Sequence, residues 1–286
     1  MKISKMHGTG NDFVLFPNLK EEPLDYPFLA RTLCKPHFGI GADGIIVILP
    51  SKTADFKMRM FNPDGSEAEM CGNGIRCFAR YVYDNKLTPK LKFRVETPAG
   101  VMEPELSLVN GSVESVRVNM GSPRYGDLSP KAGQPLKISA TDFMAKLDTP
   151  EGTIEGATVS MGNPHFVIFD PKWKFERYGQ SLSVHKTHPH QSNIEFIEVL
   201  APDAIRVQVW ERGAGPTLAC GSGACASMAA ARILKGLPAK VRVEMPGGPL
   251  LVEWDGEGPI YLTGPASTVF EGEVSAELLK RAAHKV

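Results

Sequence analysis

Asn62-Pro-Asp-Gly-Ser-Glu-Ala-Glu-Met-Cys-Gly-Asn-Gly-Ile-Arg76 is a stretch that the chain uses twice. Cys71-Gly-Asn-Gly74 returns as Cys220-Gly-Ser-Gly223, an offset of 149 positions from 71 to 220. Each copy opens a helix-like run. After the first, Ile75, Phe78, Ala79 and Val82 fall on one helical face. After the second, Ala224, Ala226, Met228, Ala229, Ala230 and Ala231 predict a helix buried on nearly all sides. The glycines let backbone come close to a ligand, and a helix start offers unpaired N–H groups to an anion. A thiol placed there feels the positive end of the dipole, which lowers its pKa from about 8.5 to roughly 3.5–7.5. The chain thus offers two activatable cysteines, Cys71 and Cys220, each beside an anion cradle.

Working outward, the same order of blocks recurs. Phe56-Lys-Met-Arg-Met-Phe61 aligns with Ile205-Arg-Val-Gln-Val-Trp210, so that Asn62 corresponds to Glu211. Val95-Glu-Thr-Pro-Ala-Gly100 matches Val243-Glu-Met-Pro-Gly-Gly248, and Gly10-Asn11 matches Gly162-Asn163, each followed by an apolar run. Four blocks in one order indicate an internal duplication. The runs Phe13 to Phe16, Ile45 to Leu49, Phe56 to Phe61, Leu91 to Val95 and Val113 to Val118 read as strands between Gly and Pro punctuation. Pro27 to Cys34 reads as a short helix and Pro63-Asp64-Gly65 as a turn. Tyr125 to Pro150 has no counterpart and reads as a joint with an insertion. Lys172 to Gln191 reads as irregular and polar, and Ser275 to His284 as a short amphipathic helix.

The expected architecture is α+β, with two pseudo-symmetric halves. Each is a curved, mostly antiparallel or mixed sheet around one central helix, with the active site in the cleft between them. The halves are placed at 1–121, carrying Cys71, and 122–272, carrying Cys220, with the tail 273–286 packed on the first. The 286 residues suit about two domains. The 32 basic and 32 acidic side chains cancel without long like-charge blocks, which argues against nucleic-acid or membrane-surface partners. No signal-peptide pattern or membrane-length apolar run is present, and five cysteines fit reduced thiols. A cytoplasmic protein is expected.

Two thiols without another strong acid or base suit removal and return of a proton on a carbon next to a carboxylate. One thiolate takes the proton from one face and one thiol supplies another to the opposite face. Two helix starts aimed at the carboxylate stabilise the carbanion-like state. This scheme requires no cofactor and no metal.

The pattern Asn-x-Asp-Gly-Ser-x₄-Cys-Gly-Asn-Gly-x-Arg over Asn62 to Arg76 resembles that of the diaminopimelate epimerases, enzymes independent of pyridoxal phosphate. The resemblance runs through Lys5-Met-His-Gly-Thr-Gly-Asn-Asp-Phe13, Gly162-Asn-Pro-His165, Ser192-Asn-Ile-Glu-Phe196, Trp210-Glu-Arg-Gly213 and Ala219-Cys-Gly-Ser-Gly223. It implies interconversion of LL- and meso-diaminopimelate, in lysine and peptidoglycan-precursor biosynthesis, by a homodimer. It implies Cys71 and Cys220 as the acid/base pair, and the amides of Gly72, Asn73, Gly221 and Ser222 as holders of the α-carboxylate. Asn11, Asn62, Asn163, Asn193, Glu211 and Arg212 are implied to bind the rest of the substrate. His165 and Glu211 are implied to adjust the thiols. Members of that family often carry Gln where this chain has Gly44, so no contact is assigned there. Arg212 suits a distal carboxylate because its planar fork makes two parallel hydrogen bonds.

Other readings lead elsewhere. Cys77, Cys225 and Cys34 fit core packing, and the Cys-x₅-Cys and Cys-x₄-Cys spacings are poor zinc signals. His185, His188, His190 and His284 read as solvated. A proline-, hydroxyproline- or histidine-type racemase shares the two-cysteine logic, but a proline-type enzyme is expected to have Cys-Gly-His in the first motif. A thiol redox protein is expected to show Cys-x-x-Cys, which is lacking here.

Overall fold

A computed structural model of the chain describes residues 1–126, 133–188 and 190–283. It divides into two compact units, Met1–Val118 with Gly264–Val286, and Asn119–Thr263. The first stretch holds β1 (Lys2–Gly8), β2 (Asn11–Pro17), α1 (Tyr26–Leu33), β3 (Gly44–Leu49), β4 (Phe56–Phe61), β5 (Glu67–Ala68) and α2 (Gly72–Asp84). β6 (Val95–Thr97), β7 (Gly100–Met102), β8 (Glu105–Val109) and β9 (Ser112–Asn119) follow. Next come β10 (Arg124–Tyr125), β11 (Gln134–Pro135), β12 (Met144–Thr149), β13 (Gly152–Ser160), β14 (Pro164–Ile168), α3 (Phe175–Ser183), β15 (Asn193–Ala201) and β16 (Ala204–Glu211). β17 (Gly215–Thr217), α4 (Gly221–Lys235), β18 (Lys240–Met245), β19 (Gly248–Glu253) and β20 (Tyr261–Gly264) complete the middle of the chain, before β21 (Ser267–Glu273) and α5 (Ala276–Ala283).

In unit 1 the strands run in the order β21-β1-β2-β3-β4-β6-β7, with β5 on β4. Thr9 and Gly10, at φ 53° and 86°, make the two-residue turn between β1 and β2, and a primed hairpin turn needs positive φ at both positions. Alternation then sorts side chains between two faces. Val14, Phe16, Ile45, Val47 and Leu49 meet Phe28, Leu29 and Leu33 of α1 on one side. On the other, Ile46 and Met60 lie against Gly74 of α2. β3, Gly-Ile-Ile-Val-Ile-Leu, is buried throughout because both faces are covered. Leu278 and Leu279 of α5 pack on the α1 cluster. Residues 264–272, expected with the C-terminal half, belong to unit 1 because β21 pairs along β1 from Lys2↔Glu273 to His7↔Ser267.

Unit 2 repeats the pairing scheme. β1–β2 is antiparallel, β2–β3 parallel, β3–β4 antiparallel, β4–β5 antiparallel, β4–β6 parallel and β6–β7 antiparallel. The pairs β13–β14, β14–β15, β15–β16, β16–β17, β16–β18 and β18–β19 have those same senses in that same order. α1 and α3 fill the same slot between parallel strands, and α2 and α4 the other. α4 touches β13, β14, β15, β16, β18 and β19, so the sheet wraps around it. Its alanine-rich face is buried from Ala224 to Ala231 because only small side chains let strands approach from so many directions. The helix ends on Gly236 in the left-handed region, a common stop signal.

Two stretches differ from the sequence reading. Lys172 to Gln191 contains α3, whose Tyr178 and Leu182, four apart, bury against Ile154, Phe166, Ile194 and Phe196. Leu91 to Val95 is extended only at its end. The Arg94 carbonyl accepts from the Asp55 and Phe56 amides, while its own N–H goes to the Asp55 carboxylate, which takes the segment off the ladder before β6. Among the described residues, no helix is long and apolar enough to cross a membrane, and no group of three His, Cys, Asp or Glu side chains is placed to hold a metal ion. His284 lies outside the described residues.

Candidate active site

Each cysteine of the repeated motif is the N-cap of its helix. Cys71 has the extended backbone of a cap (φ −140°, ψ 122°), and its sulfur accepts from the Gly74 amide at 3.4 Å. Cys220 does the same (φ −123°, ψ 111°), with the Gly223 amide at 3.4 Å. Caps are usually Ser, Thr, Asp or Asn, whose oxygens are better acceptors than a thiol. A cysteine in both places leaves a sulfur at the positive end of each helix, next to first-turn N–H groups without helical partners.

Around Cys71 the first unit assembles asparagines. Asn11 opens β2, directly after the Thr9–Gly10 turn, and its Oδ1 lies 3.6 Å from the Cys71 sulfur and 3.1 Å from Asn73 Nδ2. The amide is oriented from behind by Asp43, whose Oδ2 accepts from Asn11 Nδ2 at 2.7 Å and from the Asp12 N–H at 3.0 Å. Arg76, given no role from the sequence, is fully buried. It donates to the Thr9 hydroxyl (3.2 Å), the Gly72 carbonyl (3.0 Å) and the Pro265 carbonyl (3.1 Å), which ties the hairpin turn to the first turn of α2. The approach is close enough that a Cβ on Gly8 would stand 2.9 Å from Arg76 Nη2. Asn62 follows β4 and donates to Ser66 Oγ at 3.0 Å within its own turn.

Around Cys220 the second unit keeps the frame and changes its lining. Register places His165 opposite Asn193 as Phe13 stands opposite Gly44, and Val167 opposite Glu195 as Leu15 stands opposite Ile46. The apolar positions Phe13 and Ile46 of unit 1 are therefore His165 and Glu195 here. Both are fully buried, with His165 Nδ1 2.7 Å from Glu195 Oε1. His165 Nε2 lies 3.0 Å from Asn163 Oδ1, Asn163 Nδ2 donates to Ser222 Oγ at 3.3 Å, and Ser222 Oγ lies 3.5 Å from the Cys220 sulfur. Glu211, at the end of β16, accepts from Thr217 Oγ1 at 2.5 Å and hydrogen-bonds the Cys220 thiol. Burial raises the Glu211 carboxyl above its ordinary value. Burial, followed by the neighbouring Glu211 and Glu195 carboxylates, holds the Cys220 thiol well above the ordinary thiol value. Asn193 Oδ1 takes the Arg212 backbone N–H at 3.0 Å, and the exposed Arg212 guanidinium reaches the His190 carbonyl at 3.4 Å.

Direct contacts thus link Asn11 with Cys71 and Asn73, and link Asn163, His165, Ser222, Cys220 and Glu211. Gly72 and Gly221 open the two helices. Cys34, Cys77 and Cys225 are buried in the cores, with burial pushing the Cys34 and Cys77 thiols up to about 12. His188, expected in solvent, is half-buried. Its ring packs on Phe166 at 5.7 Å between centroids and bonds the Leu182 carbonyl, because α3 brings that loop down onto the sheet. Glu195, like Arg76, is a residue to which the sequence alone assigns no task.

Residues 3–126 and 157–269 match the sequence profile of diaminopimelate epimerase. This chain belongs to the diaminopimelate epimerase family. The diaminopimelate epimerase of Desulfitobacterium hafniense is 46% identical over 98% of this chain and 100% of its own length. That of Desulforudis audaxviator is 48% identical over 96% and 99%. Among solved structures, a phenazine biosynthesis protein of the PhzF family from Bacillus anthracis superposes with a TM-score of 0.68 at 16% identity, covering 96% of this chain and 99% of that one. A hydroxyproline epimerase from Agrobacterium vitis, solved with trans-4-hydroxy-L-proline, gives 0.67 at 15% identity, over 99% and 98%. Likeness at that level of identity shows that the family shares its fold with these proteins.

Proposed function

We propose that this chain is a diaminopimelate epimerase, an isomerase that interconverts LL- and meso-diaminopimelate with Cys71 and Cys220 as its acid/base pair. The observation that carries the reading is the pair of cysteine N-caps, each on the helix of a duplicated unit in a chain of this family. A thiolate removes the α-proton, and the electron pair left on carbon spreads into the carboxylate. The other thiol gives its proton to the opposite face, so the centre inverts and the two sulfurs end with their protonation states exchanged. The first-turn amides of Gly72 and Asn73 and of Gly221 and Ser222 stabilise the carboxylate as charge builds on it; losing one such donor typically costs about 10²–10³ in rate. Asn11, Asn62, Asn163, Asn193, Glu211 and Arg212 hold the remaining polar groups, Arg212 gripping the distal carboxylate.

The enzyme acts as a homodimer in the cytoplasm, where its five free cysteines stay reduced, and serves lysine and peptidoglycan-precursor synthesis. The open outer edge of β21, with Val269 and Phe270 exposed, supports self-association through that strand. Incubation with LL-diaminopimelate in D₂O tests the reaction. Meso product carrying α-deuterium is expected; absence of both exchange and product, or a need for pyridoxal phosphate, refutes it.

A further inference from the structure

We infer that Glu195 is a positioning residue of the Cys220 centre: it takes up Nδ1 of His165, so that Nε2–H faces Asn163 and a line of donors runs through Ser222 to the sulfur. The inference rests on the assignment of Cys220 as an acid/base group, but its geometry stands within one unit.

The polarity of the line follows from an inventory of donors and acceptors. Asn163 spends its NH₂ on Ser222 Oγ, so its oxygen is what faces His165 Nε2 at 3.0 Å, and Nε2 must carry a hydrogen. One further proton lies in the 2.7 Å contact between Nδ1 and Glu195 Oε1. Whether that proton sits on nitrogen or oxygen, the pair has zero net charge, which suits two side chains with no exposed surface. Ser222 Oγ accepts from Asn163, which leaves its own hydrogen free for the sulfur 3.5 Å away. A hydroxyl donating to sulfur favours the thiolate of Cys220, against burial and the Glu211 and Glu195 carboxylates that favour the thiol. The charge of Glu195 is offset by the proton it shares with His165, so a neutral pair that keeps Nε2–H in place leaves the sulfur's surroundings unchanged.

Packing gives no other account of Glu195. Its counterpart Ile46 fills the same position against Gly74 with an apolar side chain, so the fold does not need an acid there. Glu195 Oε2 is buried and, among the described residues, has no hydrogen-bond partner, a cost of about 1–3 kcal/mol that apolar replacement would avoid. In unit 1 the corresponding asparagine, Asn11, is held by Asp43 and turns its oxygen, an acceptor, towards Cys71. The Glu195–His165 pair is what turns the second asparagine round, so the two thiols meet opposite polarity.

The test is the alkylation of each cysteine by iodoacetamide as a function of pH, read peptide by peptide by mass spectrometry, in the native chain, E195A and E195Q. The glutamine of E195Q can donate to Nδ1 and keep Nε2–H in place, whereas the alanine of E195A cannot. In E195A the Cys220 midpoint should rise, and its rate at neutral pH should fall about tenfold, the worth of one charge-assisted hydrogen bond. Cys71 should keep its native profile in both variants, and Cys220 should keep it in E195Q. A fall of the Cys220 midpoint in E195Q means that Glu195 acts only as a repelling charge and overturns the inference. So does an unmoved Cys220 in E195A, or a parallel shift of Cys71. Should E195A fail to fold, E195Q alone decides between an unmoved and a lowered midpoint. The readout needs no substrate, so it is separable from the D₂O experiment, which addresses the reaction itself.

Discussion

Adding one methyl group at Gly223 should damage the chain far more than adding it at the equivalent Gly74. A Cβ built on Gly223 stands 2.7 Å from Glu195 Oε1 and 3.3 Å from the Cys220 sulfur. The carboxylate is fully buried and bonded to His165, so it has little room to retreat. Overpacking of this kind costs about 1–3 kcal/mol, and a broken buried hydrogen bond adds about 1–3 kcal/mol. The helix gains back about 0.5–1 kcal/mol from replacing glycine with alanine. Gly223→Ala should therefore lose about 1–5 kcal/mol net, centred near 3. At Gly74 the added Cβ meets Ile46 Cδ1 at 3.2 Å and Met60 Sδ at 3.4 Å, both on flexible side chains that give by tenths of an ångström. Its cost should roughly cancel the helix gain, leaving stability within about 1 kcal/mol of native. Trp173, Trp210 and Trp254 are the chain's three tryptophans and all lie in unit 2, so their fluorescence in a urea titration follows the unit that holds Gly223. Far-UV circular dichroism follows both variants in parallel. An unchanged fluorescence midpoint in Gly223→Ala, or an equal loss in Gly74→Ala, would refute the reasoning.

Cys71→Ser and Cys220→Ser should each abolish epimerisation, because a serine hydroxyl is too weak an acid to serve as either partner. Each should still support proton exchange, or elimination from a halogenated analogue, on the face served by the surviving thiol; both variants acting on the same enantiomer would contradict the two-base scheme. Arg212→Lys should keep its charge but lose the bidentate grip, and a misplacement of about 1 Å lowers kcat/KM on the order of 10². Unchanged kcat/KM there would mean that another group reads the distal carboxylate. Burial raises the Glu211 carboxyl above its ordinary 4.5, so the folded chain binds that proton more tightly than the unfolded one. Its contribution to stability is complete below about 4.5 and is lost as pH rises through the folded-state value. Glu211→Gln should therefore be more stable than native above that window and should flatten the pH dependence, as thermal melts across pH will check.

The duplication was legible because its signals are local. Cys-Gly-x-Gly ahead of an apolar helix, and a strand ending in Asn62 or Glu211, each fit within a dozen residues. Asn11 and Asn163 are visible for the same reason, as residues that follow a glycine and lead into a strand. The helix α3 is hidden by composition, since Phe175-Glu-Arg-Tyr-Gly-Gln-Ser-Leu-Ser183 has glycine in its middle and an apolar face only partly filled. Glu195 lies inside a family motif without a task that the motif reveals. Its meaning depends on the parallel register of β14 with β15, which joins residues about 30 positions apart, and no single-strand pattern carries that information. Arg76 is hidden on similar grounds, because its partners Thr9 and Pro265 lie at the two ends of the chain.

The return of β21 to β1 has a consequence for synthesis. Unit 2 is one unbroken run, Asn119–Thr263, and can close as soon as it leaves the ribosome. Unit 1 cannot, because Lys2 pairs with Glu273 and the Met1 carbonyl waits for the Val274 amide. At about 5–20 residues per second, β1 stands with one side unpaired for roughly tens of seconds after it emerges. An unpaired edge of that kind is a template for another nascent chain on the same message. Strand β21, translated after β1 and after all of unit 2, is therefore what retires the hazard posed by β1, and truncation before residue 267 should show itself as aggregation during expression rather than as a clean loss of the tail.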